Sequence, residues 1–254
     1  MKTITVFTPT YNRAYCLGQL YESLLRQTNK DFCWLIIDDG SSDTTNELVQ
    51  GWIAEGKIEL QYLYQANQGM HGAHNTAYQN IQTPYNFCID SDDYLPDDAI
   101  EKICHHLPAI ASDNFAGLIG LDCDPTGTVI GSTIPKQWKQ GGLNALYRNG
   151  VTGDKKVVLK TAIVKQFPPY PIYPGEKLVP LGTLYVQIDQ KYQWLYTNDV
   201  LCVVEYLPDG SSHTIFKQYK VSPRGFGYSR LIRLQYPDTF KNHFIQAMHL
   251  VSSA

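Results

Sequence analysis

An α/β fold with a mostly parallel sheet is predicted by two observations. Across the first hundred residues strand-like and helix-like stretches alternate, and a polar cluster follows directly on each of the four strand-like stretches. Strand, helix, strand, helix in that rhythm implies parallel strands joined by right-handed crossovers.

Each element has its own signal. Thr3–Thr8 alternates Ile4, Val6 and Thr8 against Thr5 and Phe7, a strand pattern. Ala14–Gln27 places Leu17, Leu20, Leu24 and Leu25 at helical spacing. Phe32–Asp38 is a short apolar run, which suits a strand buried on both faces. Thr44–Ala54 reads as a helix, with Thr44 and Glu47 at capping-box spacing. Ile58–Tyr64 is a third strand, Gly69–Ile81 a polar-rich helix and Tyr85–Ile89 a fourth strand. Pro96 suits the first position of the next helix, and Asp97 and Asp98 suit its positive end.

Beyond about residue 110 the pattern loosens. Gly117–Cys123 reads as a strand, 124–156 as loops, Val157–Gln166 as a helix, Lys177–Gln190 as a helix and Trp194–Tyr206 as strand. Residues 208–229 are rich in Gly, Ser and Pro and read as a mobile loop. A weakly amphipathic helix closes the chain, with Phe240, Phe244, Ile245, Met248 and Leu250 among polar residues. It suits packing or oligomer contact better than a membrane surface, because only Lys241 supplies positive charge there.

Composition narrows the function. Of 254 residues, 21 are Lys or Arg and 24 Asp or Glu, a formal net charge of −3. That balance disfavours bulk nucleic-acid binding, which needs cations to displace counterions from phosphates. With 43% hydrophobic residues the chain has material for a sizeable core. No apolar run of about 18 residues is present, so no spanning helix is expected, and the start of the chain shows no signal-peptide pattern, which favours the cytoplasm. Six scattered cysteines without a C-x-x-C pair read as reduced thiols rather than a zinc site.

The clusters after the strands carry the chemistry. They are Thr8-Pro9-Thr10-Tyr11-Asn12-Arg13, Asp38-Asp39-Gly40-Ser41-Ser42-Asp43, Asn67-Gln68-Gly69 and Asp90-Ser91-Asp92-Asp93. In open parallel sheets ligands bind at the carboxyl ends of the strands, so these clusters should converge. Carboxylates suit ribose hydroxyls and ring N–H groups, Tyr11 suits a base face, and Asp90 with Asp92 suits a hard divalent cation carrying phosphate oxygens. Three carboxylates in four residues repel one another and call for a cation. His71 and His74, three apart on the same helix, suit a phosphate-facing or surface role better than a metal pair.

The segments TPTYNR (8–13), IDDGSSD (37–43), NQG (67–69) and FCIDSDDYL (87–95), in this order, resemble the family 2 glycosyltransferases with the GT-A fold, strongly over residues 1–100 and more faintly beyond. The resemblance implies a nucleotide-sugar-binding half at 1–100 and an acceptor-binding half at 101–254 within one continuous domain. It implies inverting transfer from a uridine diphosphate sugar, assisted by Mn²⁺ or Mg²⁺, in bacterial surface-glycan assembly. Donor contacts fall to Thr8, Tyr11, Arg13, Asp39, Gly69, His74, Asp90 and Ser91, and the metal to Asp92. Where relatives often carry Ala-Arg-Asn, this chain has Ala73-His74-Asn75, a titratable ring in place of a fixed charge. The general base is expected to be Glu176, with Asp154 its rival, and 208–229 resembles the loop that closes over the donor, with His213 and Arg224 in it. The acceptor is a glycan or a lipid-linked glycan, with peripheral contact at the inner face of the membrane compatible. A non-catalytic nucleotide-sugar binder and a sugar nucleotidyltransferase stand as alternatives. A dehydrogenase ranks below both, since no G-x-G-x-x-G follows the first strand.

Overall fold

The structure, a computed structural model, describes residues 2–205, 215–237 and 240–251. In chain order it runs β1 (Ile4–Thr10), α1 (Ala14–Arg26), β2 (Phe32–Asp38), α2 (Thr45–Glu55), β3 (Leu60–Tyr64), α3 (Met70–Asn80), β4 (Tyr85–Cys88) and α4 (Ala99–His106). Then come β5 (Phe115–Cys123), β6 (Gln140–Gly141), α5 (Leu143–Arg148), β7 (Lys155–Lys160), α6 (Thr161–Val164), α7 (Gly182–Ile188) and β8 (Gln193–Val203). The chain ends with α8 (Ile215–Val221), α9 (Pro223–Leu234) and α10 (Phe240–Val251).

Eight strands form one sheet in the order β3-β2-β1-β4-β7-β5-β8-β6. The strands β1 to β4 pair in parallel, with Ile4 opposite Phe32 and Tyr85, and Trp34 opposite Leu60. The strand β7 runs antiparallel between β4 and β5, with Phe87 opposite Val158 and Gly120 opposite Lys156.

The sheet is buried on both faces because side chains alternate along each strand. Ile4, Val6, Trp34 and Ile36 pack with Leu17 and Leu20 of α1, Trp52 of α2 and Ile103 of α4. Phe7, Leu35 and Ile37 pack on the opposite face with Ala73 and Ala77 of α3, Ile163 of α6 and Ile188 of α7. In the first layer Tyr21, Trp34 and Trp52 stack, with Tyr21 and Trp52 centroids 4.4 Å apart.

The later elements differ from their sequence reading. Val157–Gln166 is not one helix: β7 carries its first residues and only the short α6 follows. Its apolar run of Val157, Val158 and Leu159 is buried between two strands, and the β-branched pair favours the strand. Helix α7 starts at Gly182, five residues later than expected, and the loop stretch 124–156 contains β6 and α5. Of 208–229, residues 208–214 lie outside the described residues, and with them His213; the remainder forms α8 and most of α9. Thr44 makes no side-chain cap to α2; Asp43 does that work, its Oδ1 accepting the Thr45 N–H at 3.0 Å. Helix α4 begins at Ala99, three residues after Pro96, while Asp98 pairs with Lys102 at 2.8 Å and Asp97 with Arg26 at 3.0 Å. All six cysteines are free, as expected. Among the described residues no helix is long and apolar enough to cross a membrane.

Candidate functional site

The carboxyl ends of β1, β2 and β4 open into a cleft of about 1000 Å³. Of the expected site residues, Tyr11, Arg13, Asp39, His74, Asp90, Ser91, Asp92 and Asp154 line it. Thr8, Gly69 and Glu176 serve it from behind.

The loops hold one another in place. Asn12 adopts a left-handed backbone (φ 53°), which Asn tolerates better than most residues. Its N–H donates to Ser41 Oγ at 2.8 Å, and its Oδ1 accepts the Ser42 N–H at 2.7 Å. That leaves Tyr11 51% exposed at the cleft rim, where a flat partner can stack. Thr8 faces away: fully buried, its hydroxyl accepts the Trp34 indole N–H at 3.0 Å. It therefore supports the cleft wall from the core and has no surface to offer a donor.

Asp39 sits at the cleft edge with most of its acceptor capacity spent. Its Oδ1 accepts Gln68 N–H at 2.8 Å and Gln65 Nε2–H at 2.7 Å, and its Oδ2 accepts Gly69 N–H at 2.7 Å. Burial raises its pKa, against the pull of these hydrogen bonds and of Lys177. Gly69 acts through its backbone. It has φ 85°, and a Cβ there would lie 1.9 Å from the Lys177 carbonyl oxygen.

His74 is not a cation. It is buried beneath the cleft floor, its ring edge-on to Phe7 at 5.0 Å, with Nδ1 3.2 Å from the Tyr78 hydroxyl. Burial first, then His71, pushes its pKa down to about 3, so the ring is neutral at pH 7. The imidazole at this position is part of the packing. His71 is likewise buried, its Nδ1 accepting the Val179 N–H at 3.3 Å.

Asp90–Asp93 is a turn, closed by the Asp93 N–H on the Asp90 carbonyl at 3.1 Å. Asp92 Oδ2 lies 3.7 Å from Arg13 Nη1. Asp93 turns inward, 5% exposed, with Lys156 Nζ at 3.6 Å and the Cys202 thiol donating at 3.7 Å. Burial, with the charges of Asp90, Asp92 and Asp122, outweighs Lys156 and raises the Asp93 pKa. Asp90 and Asp92, hard oxygen donors on the cleft wall, fit a divalent cation. Among the described residues no group of three or more His, Cys, Asp or Glu could hold a metal alone. A cation here would be completed by phosphate oxygens of a ligand.

Glu176 has a different use from the one expected. It precedes no helix of its own; its Oε1 and Oε2 accept the Arg224 and Gly225 N–H groups at 3.1 and 2.9 Å, capping α9. Arg224 thus meets Glu176 through its backbone. Asp154 is exposed and lines the cleft beside Lys155, whose ammonium donates to the Thr152, Gly153 and Asp154 carbonyls at 2.7 to 3.1 Å.

Sequence reasoning missed Lys156, Asp122, Tyr147 and Tyr185, all of which line the cleft. Asp122 had a readable signal: it stands next to last in an apolar strand, much as Asp38 ends one.

This arrangement has known counterparts. The chain belongs to glycosyl transferase family 2, whose family model matches residues 5–153. Glycosyltransferase GlyA of Streptococcus pneumoniae serotype 4 is 32% identical over 116 residues, 44% of this chain and 16% of that protein. Chondroitin synthase of Escherichia coli is 35% identical over 98 residues, 39% of this chain and 14% of that one. The matched regions thus span about one-sixth of these relatives. Among solved structures, S. aureus TarS 1-349 in complex with UDP-GlcNAc superposes with a TM-score of 0.67 at 18% identity, covering 100% of this chain and 71% of that one. Mannosyltransferase PcManGT from Pyrobaculum calidifontis, in complex with GDP-Man and Mn²⁺, gives 0.65 at 16% identity, covering 99% and 72%. The fold is the GT-A fold of these glycosyltransferases.

Proposed function

We propose that the chain transfers a sugar from a nucleoside diphosphate donor, a uridine diphosphate sugar, to an acceptor hydroxyl with inversion, in the assembly of a bacterial glycan. The observation that carries this reading is the convergence of Tyr11, Arg13, Asp39, Asp90, Ser91 and Asp92 on one cleft at the carboxyl ends of parallel strands. Structures of the same fold are titled as complexes with UDP-GlcNAc and with GDP-Man and Mn²⁺, which supports a nucleotide-sugar donor.

Tyr11 stacks on the base at the rim. The fourth lone-pair position of Asp39 is left to a ring N–H, and Asp90 and Ser91 stand towards the ribose. Asp92 would hold Mn²⁺ or Mg²⁺ together with the donor phosphates, and that cation supplies charge stabilisation for the departing diphosphate. Arg13, 3.7 Å from Asp92, stands on the same side and adds a fixed positive charge. The acceptor proton passes to Asp154. A general base must reach the hydroxyl it deprotonates, and Asp154 lines the cleft whereas the Glu176 carboxylate is taken by the α9 cap. Residues 101–254 form the acceptor side of one continuous domain.

Thermal stability with uridine, guanosine and thymidine diphosphates, each with and without Mn²⁺, tests the reading. A ligand at about a hundred times its dissociation constant adds roughly 2.7 kcal/mol. A shift with uridine diphosphate that depends on Mn²⁺ is expected. No shift with any of the three, in a folded sample, would remove the donor site.

A further inference from the structure

We propose that Lys156 is a positioning residue: its ammonium holds Asp93 beneath the acidic turn and so sets where Asp90 and Asp92 stand in the cleft. The proposal rests on the reading of that cleft as the donor site.

Topology brings Lys156 there. The parallel strands β1, β2 and β4 deliver their carboxyl ends to the cleft. Because β7 is antiparallel, it delivers its first residues instead, and Lys156 is the second. The two neighbouring lysines do different work. Lys155 spends its ammonium on three carbonyls of the loop before it, while Lys156 reaches a carboxylate, Asp93 Oδ2, at 3.6 Å.

The turn is fixed from behind by the ends of two strands. Asp93 accepts the Cys202 thiol hydrogen, and Tyr94 exchanges both backbone hydrogen bonds with Val203 at 3.0 and 2.7 Å. Of these ties only the one from Lys156 is ionic. It stands in a strongly acidic setting: Asp90, Asp92 and Asp93 within four residues, and Asp122, 2% exposed, with a buried Oδ1 that has no hydrogen-bond partner. Burial opposes the charge on Lys156. The surrounding Cys202, Asp122, Asp93 and Asp90 outweigh that and raise its pKa well above the ordinary value, so it remains an ammonium. The cation that three clustered carboxylates require is thus partly built into the chain. Lys156 serves the inward-turned acid and leaves the outward pair to the cleft.

The test uses the full chain with Lys156→Met, Lys156→Arg, Asp93→Asn and the double variant Lys156→Met/Asp93→Asn. Melting temperature reports folding, and calorimetry reports the affinity for uridine diphosphate with Mn²⁺ and for Mn²⁺ in the presence of uridine diphosphate. Folded Lys156→Met is expected to lose about 10-fold or more in both affinities, as for other outer partners of metal ligands. Lys156→Arg should recover most of that loss. Because Lys156 acts through Asp93, the double variant should bind no worse than Lys156→Met alone. A folded Lys156→Met with affinities within about twofold of wild type, or losses that simply add in the double variant, overturns the proposal. If Lys156→Met does not fold, Asp93→Asn decides: weakened affinity supports the proposal and unchanged affinity overturns it. A wild-type chain that binds no nucleoside diphosphate with Mn²⁺ overturns the donor reading and takes the proposal with it; wild-type binding with an unaltered Lys156→Met overturns the proposal alone.

Discussion

The two sides of the cleft are built differently. On the β1 to β4 side, each loop that follows a parallel strand contributes to the site, and the loops fasten one another through Asn12, Asp39 and Asp43, the last accepting the Ala14 N–H. On the β5 to α9 side, site residues come from the end of β5, the beginning of β7 and the strap 175–181. That strap is pinned from both sides: Glu176 caps α9, and Lys177 donates to the Asn67 carbonyl oxygen and packs its own carbonyl against Gly69. The first side is thus tied between successive loops some 30 residues apart, and the second by contacts between segments 48 and 110 residues apart. In the first, removing a cleft side chain should cost binding alone. In the second, changes in the pinned strap should cost stability as well, while side chains that only face the cleft should not.

The largest expected effect sharpens this contrast. Asp92→Ala should weaken Mn²⁺-dependent uridine diphosphate binding by about 100-fold, since the cation's charge stabilisation is worth several kcal/mol. Its melting temperature without ligand should barely change, because the Arg13–Asp92 pair is partly exposed and such pairs contribute little. A large drop in melting temperature would mean that this side is no more independent than the other.

Next come the two acids of the acceptor side, which should separate cleanly. Asp154→Asn should lower turnover by about 100-fold or more while donor affinity holds, the usual scale of general-base loss. Glu176→Gln should retain turnover and lose about 1 kcal/mol of stability, the usual value of a helix cap. Steady-state kinetics beside denaturant unfolding reads both. Turnover lost in Glu176→Gln at unchanged stability would return the base to Glu176.

The smallest effect is a pH dependence. Burial holds His71 at about 4 and His74 at about 3, while in the unfolded chain both titrate near about 6.5. Between those values the unfolded state binds protons that the folded state refuses, so stability should be full above about pH 6.5 and fall as pH drops towards 4. His74→Phe, which keeps an aromatic ring against Phe7, should flatten that fall in urea midpoints measured from pH 7 to 5. A profile that His74→Phe leaves unchanged would mean that the fold does not hold the His74 ring neutral.

The same contrast explains what could be read before the structure. The strands β1 and β2 and the helix α1 follow from apolar patterning, and the clusters after the strands from the rule that parallel sheets bind ligands at their carboxyl ends. Six of the eight expected donor contacts, Tyr11, Arg13, Asp39, His74, Asp90 and Ser91, line the cleft, His74 from its buried floor. Thr8 and His74 are buried, and alternation alone does not say which partner a buried hydroxyl or imidazole will find; Trp34 and Tyr78 are those partners. Lys156 was illegible because Val157–Val164 carries apolar residues at helical as well as strand spacing, and only a strand brings Lys156 to the cleft. Glu176 was legible as an acid at a helix start, but the helix it caps begins 47 residues later, a pairing that sequence neighbours do not encode.

The most direct test of the central claim is the release of uridine diphosphate from a panel of uridine diphosphate sugars, with water as the default acceptor, followed with Mn²⁺ and again after chelation. The account predicts release from at least one sugar, dependent on the cation and lost in Asp92→Ala. Binding of the nucleotide with no release from any donor, with or without candidate glycan acceptors, would contradict it and leave a nucleotide-sugar binder without transferase activity.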